Sequence, residues 1–167
     1  MAFEEVYLTA IQARFRAVRE PAEQALGWLN EEQFHQTLAP DTNSVALLIQ
    51  HMTNNMTSRW TDFLTTDGEK PDRNRDAEFV DQGHDKGTLL TLWNDGWQLV
   101  ESTLASLTPD DLERTVLIRG EPHLVVDAIE RQLAHYAYHT GQLIFLMKIL
   151  LGPDFKPLTI PLPHQRH

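Results

Sequence analysis

Apolar residues recur every three or four positions in four long segments of the chain, and this spacing predicts four helices. The first predicted helix covers about residues 3–29, and Pro21 inside it predicts a kink or a break. The second begins after the capping candidates Thr42 and Asn43 and ends near Thr65. The apolar stripe of this segment indicates that one face of the helix is buried.

The other two predicted helices lie in the second half of the chain. The third covers about residues 86–107, where leucines and a tryptophan supply the buried stripe. The fourth covers about residues 125–151 and ends at Gly152 and Pro153, which form a strong stop signal. Because the fourth segment is apolar almost all the way round, we expect it to be the most buried helix.

Polar connections separate these segments. Residues 67–79 form a long charged stretch that we expect on the surface, and residues 115–122 can hold a short extended strand. The tail over residues 155–167 contains three prolines and cannot be helical throughout. Four helices with little strand signal predict an all-α fold. We expect a four-helix bundle that forms a single domain over residues 1–167, with a long connection between the second and third helices.

The composition limits the chemistry that such a domain can carry. The chain has no cysteine, which excludes disulfides, thiolate metal sites and cysteine nucleophiles. Any transition metal must therefore be bound by histidine, aspartate or glutamate. The net charge of −10 disfavours nucleic acids and anionic membranes as partners, because like charges repel.

The apolar segments also bear on where the protein works. The N-terminal sequence has no basic region followed by an apolar one, so no secretory signal is expected. No apolar stretch approaches the length that is needed to span a bilayer. These features predict a cytoplasmic protein.

Two histidines in the fourth segment carry the clearest chemical signal. In a helix, four residues make about one turn, so His135 and His139 project from one face. Two imidazoles on one face can bind one divalent metal ion, and a third ligand must then come from another helix. His51 in the second segment is the best candidate, although its place at the flank of the apolar stripe does not decide the matter.

Other interpretations of the histidine pair stay open. A stripe of glutamine and histidine within an apolar helix can also be a solvated groove or a hydrogen-bonded core network. The remaining histidines lie in loops, at helix edges and in the tail, and we expect them at the surface: His35, His84, His123, His164 and His167. Of these, His123 lies just before the fourth segment and could approach a site from the end of that helix.

The combination of His51 with the run from His135 to Gln142 resembles the DinB-like superfamily of bacterial metal-binding four-helix bundles. The loop over residues 66–79 is similar to the loop of one uncharacterised bacterial subfamily within it. That loop often contains a Lys-Pro-Trp sequence, and this chain has Asp72 in place of the tryptophan. The resemblance covers nearly the whole chain.

The resemblance implies a metal site formed by His51, His135 and His139, with zinc, nickel or another divalent ion and water at the open positions. Many members of the superfamily look like homodimers. Some relatives add bacillithiol or mycothiol to electrophiles, and others isomerise maleylpyruvate. The resemblance therefore implies a small-molecule substrate, and a low-molecular-weight thiol such as bacillithiol as a cofactor.

Residues near the predicted ligands suggest supporting roles. Gln142 and Tyr138 lie about one turn from a predicted ligand. They are candidates to contact a ligand histidine and hold its ring in place, without binding the metal themselves. Ordinary packing explains these two residues equally well. Arg59, Arg73 and Arg75 could recognise an anionic cofactor near the long loop, but solvated surface charges are the simpler expectation.

Two classes of function follow from a three-histidine site. A bound divalent ion would lower the pKa of a water or a thiol, which suits a metal-dependent thiol transferase or hydrolase acting on a small molecule. A non-catalytic metal-binding or stress-response protein is the alternative, and a fourth protein ligand such as His123 would favour it. A helical interaction module with a metal-free polar groove is a third hypothesis.

Overall fold

The computed structural model describes residues 2–160 as a mainly helical protein with one small hairpin. Five α-helices lie in this part of the chain: α1 (Phe3–Leu26), α2 (Glu31–His35), α3 (Val45–Trp60), α4 (Lys86–Ser106) and α5 (Val125–Leu151). The strands β1 (Thr115–Ile118) and β2 (Glu121–Leu124) pair antiparallel. Short 3-10 turns cover Ala77–Phe79, Pro109–Glu113 and Gly152–Asp154. The mainly helical structure agrees with the all-α prediction, and none of the helices within residues 2–160 has the length and apolar character to cross a bilayer.

The two helices predicted in the second half of the chain are confirmed. α4 ends at Ser106, one residue before the predicted end, and α5 has the predicted bounds. Asp85 caps α4, because its carboxylate accepts a hydrogen bond from Thr88 N at 2.7 Å. Gly152 follows α5 with a φ of 53°, a backbone conformation that favours glycine.

The prediction for the first helix is wrong at its C-terminal end. α1 ends at Leu26, and α2 begins after Asn30, whose Oδ1 accepts a hydrogen bond from Gln33 N at 3.0 Å. The predicted helix thus extends three residues too far, and the short helix that this cap starts was not predicted. Pro21 lies inside α1, and the helix continues through it.

Ser44 caps α3, so the proposed caps Thr42 and Asn43 are wrong. The hydroxyl oxygen of Ser44 accepts a hydrogen bond from the backbone N–H three residues later, at 3.2 Å. The helix ends at Trp60, earlier than predicted, and Asp62 then takes a left-handed conformation with a φ of 49°. A left-handed residue cannot continue a right-handed helix.

α3 is the most enclosed of the long helices. It packs against α4 and α5, and α1 packs against the same two helices, so the four long helices surround one core. In α3, 13 of the 16 residues are buried, compared with 11 of the 27 residues in α5. The expectation that the fourth segment is the most buried helix is therefore wrong. α4 approaches α3 closely at Gly96, where a Cβ atom would lie 2.9 Å from the sulfur of Met56.

The long connection after α3 is held against that helix. Gln50 Nε2 on α3 donates hydrogen bonds to three carbonyl oxygens of the connection, at 2.8, 3.1 and 3.2 Å. The Asp67 carboxylate accepts hydrogen bonds from Arg119 N and Gly120 N in the turn between β1 and β2, at 2.9 and 2.7 Å. The stretch over residues 67–79, which we expected on the surface, is thus held by hydrogen bonds against α3 and the hairpin, and only part of it is exposed to solvent.

A buried hydrogen-bonded chain joins α3 to α5. Trp60 Nε1 donates to the hydroxyl oxygen of Tyr136 at 2.9 Å, and that hydroxyl donates to Asn55 Oδ1 at 3.1 Å. Phe15 of α1 packs edge-on against the rings of Trp60 and Tyr136, with ring centroids 5.7 and 6.2 Å apart. This cluster ties three of the four long helices together.

Replacing Tyr136 by phenylalanine should lower the free energy of unfolding by about 1–3 kcal/mol, because Trp60 and Asn55 would each lose a buried partner. Tyr138→Phe is the matched control. The Tyr138 side chain is mostly exposed, so the change should stay below about 0.5 kcal/mol. Urea unfolding followed by tryptophan fluorescence measures both variants. Equal stability of the two would contradict a structural role for the Tyr136 hydroxyl.

Candidate metal centre

Three histidine side chains from two helices meet at one place. His51 comes from α3, and His135 and His139 come from successive turns of α5. One ring nitrogen of each residue lies within 4.8 Å of the others, a spacing that could hold a single metal ion. His51 and His139 are buried and His135 is half-buried. The structure therefore brings together the three residues that the sequence suggested as ligands.

Hydrogen bonds to Nδ1 orient two of the three imidazoles. His51 Nδ1 donates to Glu78 Oε2 at 2.8 Å, and His139 Nδ1 donates to Gln142 Oε1 at 2.7 Å. With a proton on Nδ1, the Nε2 atom of each ring keeps a free electron pair. Histidines that bind metals usually donate their other N–H group to a carboxylate or carbonyl oxygen. Gln142 thus lies where a residue that supports a ligand is expected.

The third histidine has a nitrogen without a partner. His135 Nε2 is buried and has no hydrogen-bond partner within residues 2–160. Burial, followed by the charges of His139 and His51, lowers the pKa of His135 to about 3. Burial also lowers the pKa of His139, although its hydrogen bond to Gln142 opposes the shift. Both imidazoles are neutral at pH 7, the form that binds a metal. The residues present therefore fit a divalent ion.

The carboxylate that holds His51 comes from the long connection, and sequence reasoning missed it. Glu78 lies in the turn over Ala77–Phe79, and its side chain is 2% exposed. Arg73 donates to both oxygens of this carboxylate, from Nε at 2.6 Å and from Nη2 at 2.9 Å. Burial alone would raise the pKa of Glu78, but the hydrogen bonds from His51 and Arg73 outweigh it and lower the pKa overall. Glu78 is therefore an ionised partner for His51.

The expectation that Arg59 and Arg73 are solvated surface charges is wrong. Arg59 is 2% exposed, and the side chain of Arg73 is 4% exposed. The connection closes over Arg59 at Gly68, where a Cβ atom would lie 2.5 Å from the guanidinium Nη1. Arg75 remains about half exposed, as expected for a surface charge. This close approach at Gly68 is one of the contacts that cover Arg59.

Two partly exposed aromatic rings pack against the histidine cluster. Phe79 stacks on His51, with ring centroids 4.8 Å apart and an angle of 28° between the planes. Tyr138 places its ring edge-on against His139, with centroids 5.1 Å apart. Tyr138 thus contacts a predicted ligand through its ring, and its supporting role stays a prediction because its side chain is mostly exposed.

The other histidines lie apart from the cluster. His35 and His123 each pair with an aspartate, at 2.6 and 2.7 Å. Within residues 2–160, no fourth histidine, aspartate or glutamate joins the three grouped side chains. His164 and His167 lie outside the described residues. The part of the chain that is described therefore offers three protein ligands to an ion.

A cavity of about 560 Å³ lies beside the cluster, between α3 and the connection. Glu78 and Arg73 line it, and none of the three clustered histidines does. Most of the other residues that line it are of polar type, including Gln50, Asn54, Asn74 and Gln82. Glu78 thus connects the two, because it lines the cavity and accepts the hydrogen bond from His51.

The fold and this cluster define a mainly helical protein with three histidines that could hold a metal ion. The chain belongs to the family described as "Protein of unknown function (DUF1572)", whose sequence model matches residues 2–164. A comparison with curated proteins finds no match. The family match spans the helices, the connection and all three clustered histidines, and it leaves the activity open.

The low pKa of His135 predicts a pH dependence for the metal-free protein. In the unfolded chain this imidazole takes up a proton near its ordinary pKa of about 6.5, but in the folded chain only near 3. Between these values the unfolded state binds more protons, so stability falls as the pH drops below about 6.5. The low pKa of His135 should therefore lower the free energy of unfolding by about 2 kcal/mol at pH 5 relative to pH 7.

Urea unfolding of chelator-treated protein at the two pH values measures this loss. His135→Asn is the comparison, because its side chain stays neutral over the range. This variant should lose about 2 kcal/mol less than wild type between pH 7 and pH 5. Equal losses in the two proteins would contradict the low pKa of His135.

Replacing Glu78 by glutamine should weaken zinc binding about 10- to 100-fold, because a neutral amide supports the His51 ring less strongly than a carboxylate does. Glu101→Gln is the matched control, since it removes one acidic partner from an ion pair with Arg19 between α4 and α1. Competition with a colorimetric chelator measures both affinities. A folded Glu78→Gln protein that binds zinc as tightly as wild type would show that this hydrogen bond does not support the site.

Proposed function

We propose that the chain is a divalent-metal-dependent enzyme that acts on a small molecule through His51, His135 and His139. The observation that carries this proposal is the unpartnered Nε2 of His135, which lies beside two imidazoles whose Nδ1 atoms are already engaged. A buried polar atom without a partner costs free energy, and a bound ion would remove that cost. Imidazole ligands suit zinc and nickel among the divalent ions.

The residues around the cluster have separate roles in such a site. Glu78 and Gln142 hold the rings of His51 and His139, and Arg73 keeps Glu78 ionised. A bound ion would act as a Lewis acid and lower the pKa of a water or a thiol. Because the chain has no cysteine, a thiol must arrive on a substrate or a cofactor, such as bacillithiol or a similar small thiol. We therefore propose thiol transfer or hydrolysis as the reaction type.

The number of protein ligands favours an enzyme. Three ligands within residues 2–160 leave coordination positions for water or substrate, which is the arrangement of catalytic zinc sites. The cavity beside Glu78 has room for a small molecule. A non-catalytic metal-binding or stress-response protein is the second candidate, because none of the three histidines lines that cavity.

As part of this proposal we place the chain in the DinB-like superfamily, as a four-helix bundle with one domain over residues 1–167. Four long helices around one core support this placement, together with the histidines on the second and fourth of them.

We also propose a homodimer, because Tyr138, Phe145 and Ile149 are exposed apolar side chains at helical spacing on α5. The net charge of −10 supports the absence of a nucleic-acid partner.

The metal content of purified protein tests the site. Mass spectrometry should find about one zinc or nickel ion per chain, and His135→Ala should lose it because the ion would lose one of only three ligands. His123→Ala is the matched control, because His123 is bonded to Asp127 outside the cluster. Absence of metal from wild type, even after incubation with zinc and nickel, would end the proposal.

Chelation should lower the melting temperature of wild type and leave that of His135→Ala unchanged. An ion that binds only the folded chain stabilises it by about 2.7 kcal/mol at 100 times its dissociation constant. Metal-loaded wild type is then assayed for transfer of a small thiol to an electrophile, and for ester hydrolysis. Turnover should require the ion and be absent in His135→Ala. A bound ion without turnover of either kind would favour the non-catalytic role.

A further inference from the structure

Four guanidinium groups surround the carboxylate of Glu69. Arg73 Nη1 lies 3.1 Å from it, Arg119 Nε 3.6 Å, Arg59 Nη2 3.7 Å and Arg75 Nε 3.9 Å. Only the contact with Arg73 is a hydrogen bond. The other three guanidiniums approach the carboxylate without reaching hydrogen-bond distance, so Glu69 fills the space between them imperfectly.

Arg59 is buried with fewer hydrogen-bond partners than its guanidinium can use. It is 98% buried by area, being 2% exposed, and its Nε and Nη1 atoms have no hydrogen-bond partner within residues 2–160. Burial lowers the pKa of its guanidinium, although Glu69 opposes the shift. Buried charged donors are normally paired, because an unpaired one costs more than a neutral group does.

The charges around Glu69 do not balance either. Arg73 is already paired with Glu78 through two hydrogen bonds. Arg59, Arg75 and Arg119 are therefore left with Glu69, which Arg73 also contacts, and the nearby carboxylate of Asp67 accepts hydrogen bonds from backbone N–H groups of the β1–β2 turn. With Arg73 included, four guanidiniums thus meet three carboxylates, those of Glu69, Glu78 and Asp67, in a chain whose net charge is −10.

We propose that Arg59, Arg75 and Arg119 form a binding site for the carboxylate of a small organic anion, and that Glu69 occupies this site in its absence. A carboxylate is the group that the arginines already surround, and planar guanidiniums match its two oxygens. Ligand access is from solvent, because the side chains of Arg75 and Arg119 are 48% and 45% exposed. An incoming carboxylate would displace the Glu69 side chain, which is 19% exposed.

This site is separate from the histidines but is connected to them. Arg73 contacts Glu69 through Nη1 and Glu78 through Nε and Nη2, and Glu78 accepts the hydrogen bond from His51. The binding of a carboxylate rests on the arginines alone. Its use as the anchor of a substrate for the metal centre rests on the proposed function.

Calorimetric titration of succinate into full-length protein at low ionic strength tests the site. Succinate should bind wild type, and Arg75→Gln and Arg119→Gln should each weaken binding at least about tenfold, because each removes a charged donor. Arg114→Gln is the matched control. Its guanidinium is also 48% exposed and pairs with Asp111, so binding should stay within about twofold of wild type.

Glu69→Gln is the converse variant. It removes the competing carboxylate, so it should bind succinate at least about tenfold more tightly than wild type. If Glu69→Gln fails to fold, the two exposed arginine variants decide the matter. No succinate binding to wild type, or equal binding by Arg119→Gln and Arg114→Gln, would overturn the proposal. Tighter binding of inorganic phosphate than of succinate would overturn the assignment of a carboxylate.

The titration is repeated with chelator-treated and with zinc-loaded protein, which separates this site from the metal proposal. Succinate binding of equal strength in both samples supports the arginine site, whether or not the histidines hold an ion. Binding that appears only with zinc would mean that succinate coordinates the ion, and the arginine site would be rejected.

Discussion

The buried pair of Glu78 and Arg73 is the interaction on which the histidine site and its cover depend. A carboxylate that is 2% exposed keeps its charge only because Arg73 and His51 both donate hydrogen bonds to it. The same pair orients the His51 ring and anchors the connection after α3 against that helix. Removal of Glu78 or Arg73 would leave an uncompensated charge in the interior. The same pair therefore determines both the position of the connection over residues 67–79 and the orientation of the His51 ring.

α3 is enclosed on nearly all sides and still carries many polar residues, which is unusual for a central helix. The connection makes this possible by supplying the partners that water would otherwise provide. Gln50 donates to its carbonyl oxygens, and Ser58 donates to one carbonyl and accepts from one backbone N–H. Asn55 instead finds a partner on α5, where it accepts from Tyr136. Arg59 is the exception, because its Nε and Nη1 atoms have no partner within residues 2–160.

The histidine cluster and the arginine group belong to one chain of contacts, which runs from His51 through Glu78 and Arg73 to Glu69. Each end of this chain of contacts contains a polar group without a hydrogen-bond partner in the described residues: Nε2 of His135 and two nitrogens of Arg59. Such groups cost free energy in the folded state, and functional sites are where proteins carry such costs. The two proposed ligands would each supply a partner: a cation for the histidines and a carboxylate for the arginines.

The sequence by itself determined the features that depend on local spacing. Apolar periodicity is a local property, so it located α4 and α5, and the four-residue spacing placed His135 and His139 on one face. It missed the short helix that Asn30 caps, and it placed the cap of α3 one or two residues before Ser44. Only the tertiary structure brought Glu78 to His51, across 27 residues, and buried Arg59 and Arg73 under the connection. The physical reason is that the connection has no period of its own, and its place is fixed by side-chain contacts with α3 and the hairpin.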